Sequence, residues 1–252
     1  MLIQQSLERL RELKLHGMAE ALVQQTSQPD VQALSFEERL GLLIDQEWMT
    51  RKNRRLARLL REARLRLPAC LEDVDYQTPR GLDRATMRRL GSCGWVEAKQ
   101  NILITGPTGV GKTFLACALA QAACRHGYRA RYYRLPRLLG EVALARADGS
   151  YPRWAKQLAH THVLVLDDWG LAPLSARDAR EVLELIDDRA QVQSTIVASQ
   201  LPLDPWHPTI EDLTIADAIL DRLVHGAHRI ALQGESMRRL RAAAPTEAEE
   251  AE

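Results

Sequence analysis

The sequence predicts an α/β domain built on a parallel five-stranded sheet, preceded by a small all-helical domain. From about residue 91 onward, short runs suited to strands alternate with longer helical runs, a pattern typical of parallel strands covered by helices on both faces. Before that point, apolar residues recur only near helical spacing. The predicted strands are Asn101–Thr105, Ala130–Arg134, His162–Leu166, Ser194–Ser199 and Arg229–Leu232.

Four parts follow one another along the chain. Leucines near helical spacing predict helices at the start, with a break expected at Gly17. Ser35, followed three residues later by Glu38, predicts a capped helix start, and this helix is expected to run to about Leu60. The predicted parts are a helical domain over 1–66, a connector over 67–90, the α/β domain over 91–241 and a disordered acidic tail over 242–252.

Composition limits the class of protein. The 252 residues are 46% hydrophobic, which suffices for a buried core, and the net charge of +1 means that any surface for nucleic acid has to come from local clusters. The four cysteines have no C-x-x-C spacing, so neither a zinc site nor a disulfide framework is indicated. We expect a protein of the bacterial cytoplasm without a membrane partner, because we find no secretion signal and no apolar run that could cross a bilayer.

A glycine-rich motif directly after the first predicted strand is the strongest signal for chemistry. Glycines allow a tight turn whose backbone N–H groups approach phosphate oxygens, with the positive end of the following helix behind them. The lysine of such a motif reaches the phosphates and its hydroxyl binds Mg²⁺, so the motif predicts binding of ATP with Mg²⁺. It has the form G-x-x-x-x-G-K-[ST] and consists of Gly106, Pro107, Thr108, Gly109, Val110, Gly111, Lys112 and Thr113, with Phe114 next on the helix.

Two carboxylates stand where the third predicted strand ends at Leu166. Ligands bind at the carboxyl ends of parallel strands, so Asp167 and Asp168 are expected near the phosphate loop. Asp167 is predicted to hold the hydration shell of Mg²⁺, and Asp168 to orient and deprotonate the attacking water. An apolar run before two aspartates is also compatible with a strand that ends in an ordinary turn.

Two further side chains are candidates for catalysis. Gln200 follows the strand that ends at Ser199 and is predicted to place its amide near the γ-phosphate or the water, unless it is an ordinary strand-end residue. Arg222 follows a helical run and is predicted to stabilise charge on the γ-phosphate of a neighbouring subunit. The pair of Asp221 and Arg222 is also compatible with a solvated helix face.

These motifs resemble those of the IstB family, whose members are ATPases that assist the transposase of an insertion sequence. The resemblance extends more distantly to the helicase loader DnaC and implies the fold of the AAA+ superfamily. It spans nearly the whole chain through five segments: Leu13–Met18, the glycine-rich motif, Leu166–Gly170, Ser199–Pro202 and Asp221–Leu223.

The resemblance assigns roles to individual residues. It implies that Lys112 and Thr113 are the Walker A lysine and hydroxyl, and that Asp167 is the Walker B residue for magnesium. The further positions that it implies are sensor I at Gln200, an arginine finger that acts across a subunit interface at Arg222, and sensor II at Arg238.

The sequence departs from the AAA+ pattern in two ways. Most members carry glutamate at the position of Asp168, and the aspartate side chain, shorter by one methylene, predicts slow hydrolysis. Few residues follow Leu232 before the acidic tail, so we expect no full helical lid. The sensor II residue belongs to that lid, so its absence argues against the sensor II role of Arg238.

Basic residues cluster in two places, and both are candidates for contact with DNA phosphates. One run extends from Arg51 to Arg66 and is expected to contact DNA, a transposase or another subunit, or to be an ordinary solvated helix face. The second cluster lies before Asp167, in a segment that faces DNA by resemblance to DnaA-like initiators. Its members are Arg131, Arg134, Arg137, Arg146, Arg153 and Lys156.

Four functions fit the sequence. We favour an ATPase that forms homo-oligomers on duplex DNA and recruits and stimulates a transposase. A helicase loader would share the ATPase core, and the partner, transposase or helicase, distinguishes the two. A small-molecule kinase is disfavoured, because the sequence shows neither an acceptor pocket nor an arginine-rich lid. The fourth is a DNA-binding module that responds to nucleotide without hydrolysing it. An Asp168→Asn variant that still assembles with ATP and shows no change in any rate would support this fourth function.

Overall fold

The computed structural model describes residues 2–237 and residue 239, and the chain divides into two compact units. The first unit comprises residues 1–58 and the second residues 59–252. Within the described part of the chain, none of the helices combines the length and the apolar character that crossing a bilayer requires.

The division between the units falls inside a long helix. The sequence prediction set the end of the helical domain after that helix, at residue 66. The predicted acidic tail over 242–252 lies outside the described residues, and so does Arg238.

The first unit is helical, as the leucine spacing predicts. Ser35 and Glu38 form a capping box: the Glu38 N–H donates to Ser35 Oγ over 3.3 Å, and the Ser35 N–H donates to Glu38 Oε2 over 2.9 Å. This cap satisfies two backbone donors and fixes where the long helix starts. The helices are α1 (Leu2–Glu12), α2 (His16–Ser27), α3 (Pro29–Gln32) and α4 (Phe36–Ala63), the last of which continues into the second unit.

The predicted helix break lies at residues 13–15, just before Gly17, and Gly17 itself lets two helices touch. It lies in the first turn of α2, where a Cβ would stand 2.8 Å from the Gln46 carbonyl oxygen and 2.6 Å from the Thr50 hydroxyl of α4. Buried Glu47 accepts hydrogen bonds from the N–H groups of Gly17 (2.7 Å) and Met18 (3.1 Å). A carboxylate of α4 therefore caps the start of α2, and the missing side chain of the glycine makes room for it.

The second unit contains a five-stranded sheet in the order β2-β3-β4-β1-β5 with parallel pairing, which confirms the predicted fold class. The three consecutive residues Ile102, Leu103 and Ile104 are at most 1% exposed, so both faces of this central strand are covered. The strands are β1 (Ile102–Thr105), β2 (Ala130–Arg134), β3 (Val163–Trp169), β4 (Ser194–Ser199) and β5 (His228–Ala231). The helices are α5 (Arg84–Gly91), α6 (Gly94–Glu97), α7 (Lys112–Arg125), α8 (Leu135–Ala147), α9 (Tyr151–Ala159), α10 (Ala176–Arg189) and α11 (Leu213–Val224), with short 3₁₀ helices at Leu71–Asp73 and Asp204–Thr209.

The third strand runs further than the sequence predicts. It was expected to end at Leu166, but β3 continues to Trp169 through a bulge, since Leu166 pairs with Val197 and Trp169 pairs with Ser199. Within this stretch β3 contains one residue more than β4, and Asp168 adopts a left-handed backbone with φ of +61°. A bulge of this kind changes the direction of the side chains that follow the regular part of a strand.

A buried arginine ties the start of β4 to two helices. Arg189, in the last turn of α10, is 1% exposed. Because its planar fork carries five N–H donors in fixed geometry, it can satisfy several buried acceptors at once. The guanidinium donates to the carbonyl oxygens of Leu158 (3.1 Å), Thr161 (2.9 Å) and Ser194 (2.6 Å) and to the Thr195 hydroxyl (3.2 Å).

Arg189→Met should lower the free energy of unfolding by at least about 2 kcal/mol, since each buried acceptor left without a donor costs about 1–3 kcal/mol. Denaturant unfolding followed by circular dichroism measures the change. Arg180→Met is the matched control, because Arg180 is exposed on the same helix and its replacement should change stability by no more than about 0.5 kcal/mol. Equal losses in the two variants would contradict the structural role of Arg189.

Candidate nucleotide-binding site

The glycine-rich motif forms a loop between β1 and α7 whose backbone requires glycine. Gly106, Gly109 and Gly111 have φ values of +144°, +89° and +99°, a region that other residues rarely adopt. A Cβ on Gly106 would clash with the Leu232 carbonyl oxygen, and one on Gly109 would clash with the Ser236 hydroxyl. Glycine is therefore needed here for two reasons: the loop backbone has positive φ angles, and Leu232 and Ser236 pass too close to leave room for a side chain.

Lys112 begins α7 and directs its ammonium group back into the loop. Its Nζ donates to the Pro107 carbonyl oxygen over 2.7 Å, and the residue is buried. Burial lowers the pKa of Lys112, while the nearby carboxylates of Asp167 and Asp168 act in the opposite direction. Together with the positive end of α7, this ammonium group produces a positive potential suited to phosphate.

The carboxylate of Asp167 lies next to the hydroxyl of Thr113, as the two motifs predict. Thr113 Oγ1 donates to Asp167 Oδ2 over 2.7 Å. Since the hydroxyl gives its only proton to the carboxylate, the lone pairs of its oxygen stay available for a metal ion. Asp167 is 2% exposed, and its other oxygen, Oδ1, accepts the Asp168 N–H over 2.9 Å.

This donor set fits Mg²⁺. Hydroxyl and carboxylate oxygens are the hard ligands that the ion prefers, and Mg²⁺ usually completes its octahedron with water and phosphate oxygens. Among the described residues, no three or more His, Cys, Asp or Glu side chains are grouped so that they could hold a metal ion. Thr113 and Asp167 are therefore the residues that would hold the ion beside the phosphates.

Asp168 stands at the bulge of β3, and its carboxylate forms an ion pair with Arg134. The contact joins Asp168 Oδ2 to Nε of Arg134, the last residue of β2. The side chain of Asp168 is 16% exposed and that of Arg134 is 49% exposed, so the pair lies at the solvent boundary of the site. The sequence assigned Asp168 to catalysis and Arg134 to DNA, and the structure brings these two side chains into contact.

Gln200, which the sequence places near the γ-phosphate or the water, contacts the glycine-rich loop. Thr108 Oγ1 donates to Gln200 Oε1 over 2.8 Å. Ser199 fixes the turn before it: the Ser199 hydroxyl donates to the Trp169 carbonyl oxygen (2.8 Å) and accepts the Leu201 N–H (3.1 Å). The ends of β3 and β4 are thereby joined beside the loop.

A cavity of about 270 Å³ opens beside the loop, and the segment predicted as a connector forms part of its wall. Leu67, Phe114 and Met237 provide apolar surface, while Lys112 and Thr113 line the side toward the loop. An apolar wall next to a phosphate loop suits the base and the sugar of a nucleotide.

Arg80 supports the loop, and sequence reasoning missed it. Its buried guanidinium donates to the Val110 carbonyl oxygen and to the Asp75 carbonyl oxygen, each over 2.8 Å. A Cβ on Gly111 would lie 2.5 Å from Nη1 of this arginine, so the two residues pack closely. The sequence offered only a weak signal, an arginine in a turn-rich connector.

Arg222 lies toward the opposite end of the sheet from the loop. Its carbonyl oxygen accepts a hydrogen bond from the side chain of Asn101 (3.1 Å), the residue before β1, whereas the loop follows the other end of that strand. Its guanidinium pairs with Asp187 (2.6 Å) and donates to the Ala218 carbonyl oxygen (2.9 Å). The structure does not bring Arg222 to the loop of its own chain, and Arg238 lies outside the described residues.

The predicted DNA-contacting residues occupy different environments. Arg134 is paired with Asp168, as described above. Arg146 pairs with Glu181 (2.7 Å) and Glu184 (2.6 Å), so two carboxylates already neutralise its charge. The remaining exposed members of the cluster are Arg137, Arg153 and Lys156.

The sheet order, the glycine-rich loop and the contact between Thr113 and Asp167 define a P-loop nucleotide-binding protein with the AAA+ fold. The family of IstB-like ATP binding proteins matches residues 8–244, so the chain belongs to that family, which confirms the resemblance. A Sinorhizobium fredii relative named as an insertion sequence ATP-binding protein, y4pL, is 49% identical over 239 residues, 95% of this chain and 98% of that protein. A Pseudomonas fluorescens relative, named as the ATP-binding protein of insertion sequence IS1162, is 50% identical over 203 residues, 80% of this chain and 88% of that protein.

Solved structures share the fold. DnaI has a TM-score of 0.57 and 22% identity, covering 70% of this chain and 93% of its own. DnaA from Aquifex aeolicus bound to AMPPCP has a TM-score of 0.55 and 18% identity, covering 71% of this chain and 54% of its own. At these identities the likeness concerns the fold alone.

Gly106→Ala should weaken ATP binding at least about 10-fold, because the added Cβ would meet the Leu232 carbonyl oxygen and displace the loop. Isothermal titration calorimetry with ATP and Mg²⁺ measures the affinity. Gly140→Ala is the control, since Gly140 lies in α8 with open space around its Cβ, and this variant should bind ATP normally and gain up to about 1 kcal/mol of stability. Equal ATP affinity in the two variants would argue against the loop geometry.

Proposed function

We propose that this protein is a magnesium-dependent ATPase that assembles on duplex DNA and recruits and stimulates the transposase of an insertion sequence. The observation that supports it most is the hydrogen bond from Thr113 to Asp167 beside the glycine-rich loop, because it prepares one site for a metal ion and phosphates. Membership in a family named for ATP binding supports the nucleotide, and relatives named for insertion sequences support the link to transposition.

The residues of this chain have distinct tasks in hydrolysis. The loop N–H groups and Lys112 bind the phosphates, while Thr113 and Asp167 hold the ion, which neutralises charge on phosphate oxygens when bound. Asp168 orients and deprotonates the water, a task that requires its carboxylate to leave its arginine partner. Gln200 orients the γ-phosphate or the water from the end of β4. Because aspartate is shorter than glutamate, we expect slow ATP hydrolysis, which would set how long the ATP-bound assembly persists.

Arg222 completes the site of a neighbouring subunit. It lies toward the end of the sheet remote from the loop, so it can serve a γ-phosphate only across an interface. Its present partner, Asp187, is an exposed anion that a phosphate could replace. ATP would thereby join subunits into an oligomer, and hydrolysis would release them.

A helicase loader is the second candidate, because it would share the ATPase core. The likeness to DnaI concerns the fold alone, whereas relatives that match nearly the whole chain are named for insertion sequences. Capture of partners by the ATP-bound protein decides between the two. A retained transposase supports our proposal, and a retained replicative helicase supports the loader.

An Arg222→Ala variant and an Asp168→Asn variant should each lose ATP hydrolysis and regain it when mixed. In a random mixture about a quarter of the interfaces combine an intact Asp168 with an intact Arg222 of the neighbour, so activity should return to about that fraction of wild type. Phosphate release in the presence of duplex DNA measures it. Arg180→Ala, at an exposed arginine of α10, is the control and should hydrolyse ATP normally alone. A mixture as inactive as its components would rule out a shared site.

The exposed cations of α9 should contribute to a steep salt dependence of DNA binding. Arg153→Ala and Lys156→Ala should each reduce the slope of log K against log salt by about one, because each removes a phosphate contact. Fluorescence anisotropy with a labelled duplex in the presence of ATP measures the slope. Arg146→Ala is the control, since Glu181 and Glu184 already neutralise that guanidinium. A flat slope for the wild type, or the largest change in Arg146→Ala, would count against this DNA surface.

A further inference from the structure

A tyrosine on the neighbouring strand also holds the Asp167 carboxylate. Tyr132 OH donates to Asp167 Oδ2 over 2.6 Å, and the same oxygen accepts the Thr113 hydroxyl over 2.7 Å. Tyr132 lies on β2 in register with Val165, two residues before Asp167, so a long side chain is needed to span the distance along β3. With the Asp168 N–H on Oδ1, three donors fix both oxygens of one carboxylate.

Arg66 places a positive charge beside the Asp167 carboxylate. Its guanidinium Nη1 lies 3.8 Å from Asp167 Oδ2, the same oxygen that accepts the Tyr132 hydroxyl. A carboxylate oxygen can only accept, so the Tyr132 hydroxyl is the donor of this hydrogen bond.

We propose that Tyr132 is a positioning residue for magnesium-dependent nucleotide binding, because it holds Asp167 in the orientation that receives the Thr113 proton. The inference rests on the function proposed above. A carboxylate without this hydrogen bond is freer to rotate, and the Thr113 hydroxyl then loses a fixed acceptor. The lone pairs of the Thr113 oxygen would no longer be aimed at one point. Partners that orient metal ligands in this way typically change metal affinity by about 10- to 100-fold.

The adjacent Tyr133 offers a matched control. Both tyrosines are buried, 8% exposed for Tyr132 and 6% for Tyr133, but successive residues of a strand point to opposite faces of the sheet. The Tyr133 hydroxyl accepts a hydrogen bond from Arg131 Nε over 3.3 Å and its ring packs in the hydrophobic core. Tyr133→Phe therefore removes the same atom from the same strand without altering the contacts of Asp167.

The experiment follows the binding of a fluorescent, non-hydrolysable ATP analogue to wild type, Tyr132→Phe and Tyr133→Phe. Binding is measured at increasing Mg²⁺ and separately in EDTA. For Tyr132→Phe, the Mg²⁺ concentration at half-maximal binding should rise by about 10- to 100-fold, while binding in EDTA stays within about twofold of wild type. Tyr133→Phe should match the wild type in both solutions.

The outcomes separate this inference from the proposed function. An unchanged Mg²⁺ requirement in Tyr132→Phe overturns the positioning role and leaves the ATPase proposal standing. Loss of binding in EDTA as well, or the same shift in Tyr133→Phe, also overturns it, because a residue that acts only through Asp167 leaves metal-free binding unaltered. If the wild type binds the ATP analogue equally well with and without Mg²⁺, the proposed magnesium-dependent function is refuted, and so is the positioning role of Tyr132.

Discussion

A single buried carboxylate sets the geometry on which the site depends. Asp167 is 2% exposed, and removing a carboxylate from water is costly unless hydrogen-bond donors surround it. Thr113, Tyr132 and the N–H of Asp168 supply those donors at 2.7, 2.6 and 2.9 Å. They come from α7, β2 and β3, so three elements have to be in place before the site exists. The requirement to satisfy this carboxylate therefore links the fold to the site.

The two ends of the sheet have different chemistry. The glycine-rich loop and Gln200 follow the carboxyl ends of β1 and β4, and the aspartates lie in the last three residues of β3, whereas Arg222 lies near the amino end of β1. A chain with this polarity cannot bring its own Arg222 to its own loop. Head-to-tail association of identical copies is the arrangement that would bring the two together, and such contacts generate rings or helical filaments.

The ion pair between Asp168 and Arg134 joins the hydrolytic side of the site to the segment proposed to face DNA. Arg134 ends β2 and directly precedes α8, so a contact that draws its guanidinium toward a DNA phosphate would free the Asp168 carboxylate. The bulge of β3 is what places Asp168 beside Arg134, since it adds a residue at this point of the strand. DNA contact and hydrolysis would then depend on the same arginine.

The sequence predicted the features that depend on local patterns. Glycine spacing identified the loop, short strand-like runs identified the five strands, and their alternation with helical runs indicated a parallel sheet, because these patterns arise from residues close together in the chain. Three features were not predictable: the bulge at Asp168, the support from Arg80 and the hydrogen bond from Tyr132. Each depends on residues distant in the chain or on backbone angles that the pattern of polar and apolar residues does not reveal. The break near Gly17 was predicted to within a few residues, but the close contact of this glycine with α4 was not, because α4 is distant in the chain.

The most direct test of the central claim is a crystal structure of the protein with Mg²⁺ and a non-hydrolysable ATP analogue. We predict that the triphosphate lies in the loop of Gly106–Thr113, with the ion next to Thr113 Oγ1 and separated from Asp167 by at most one water molecule. A nucleotide bound elsewhere, or an ion remote from both oxygens, would contradict the assignment of this site.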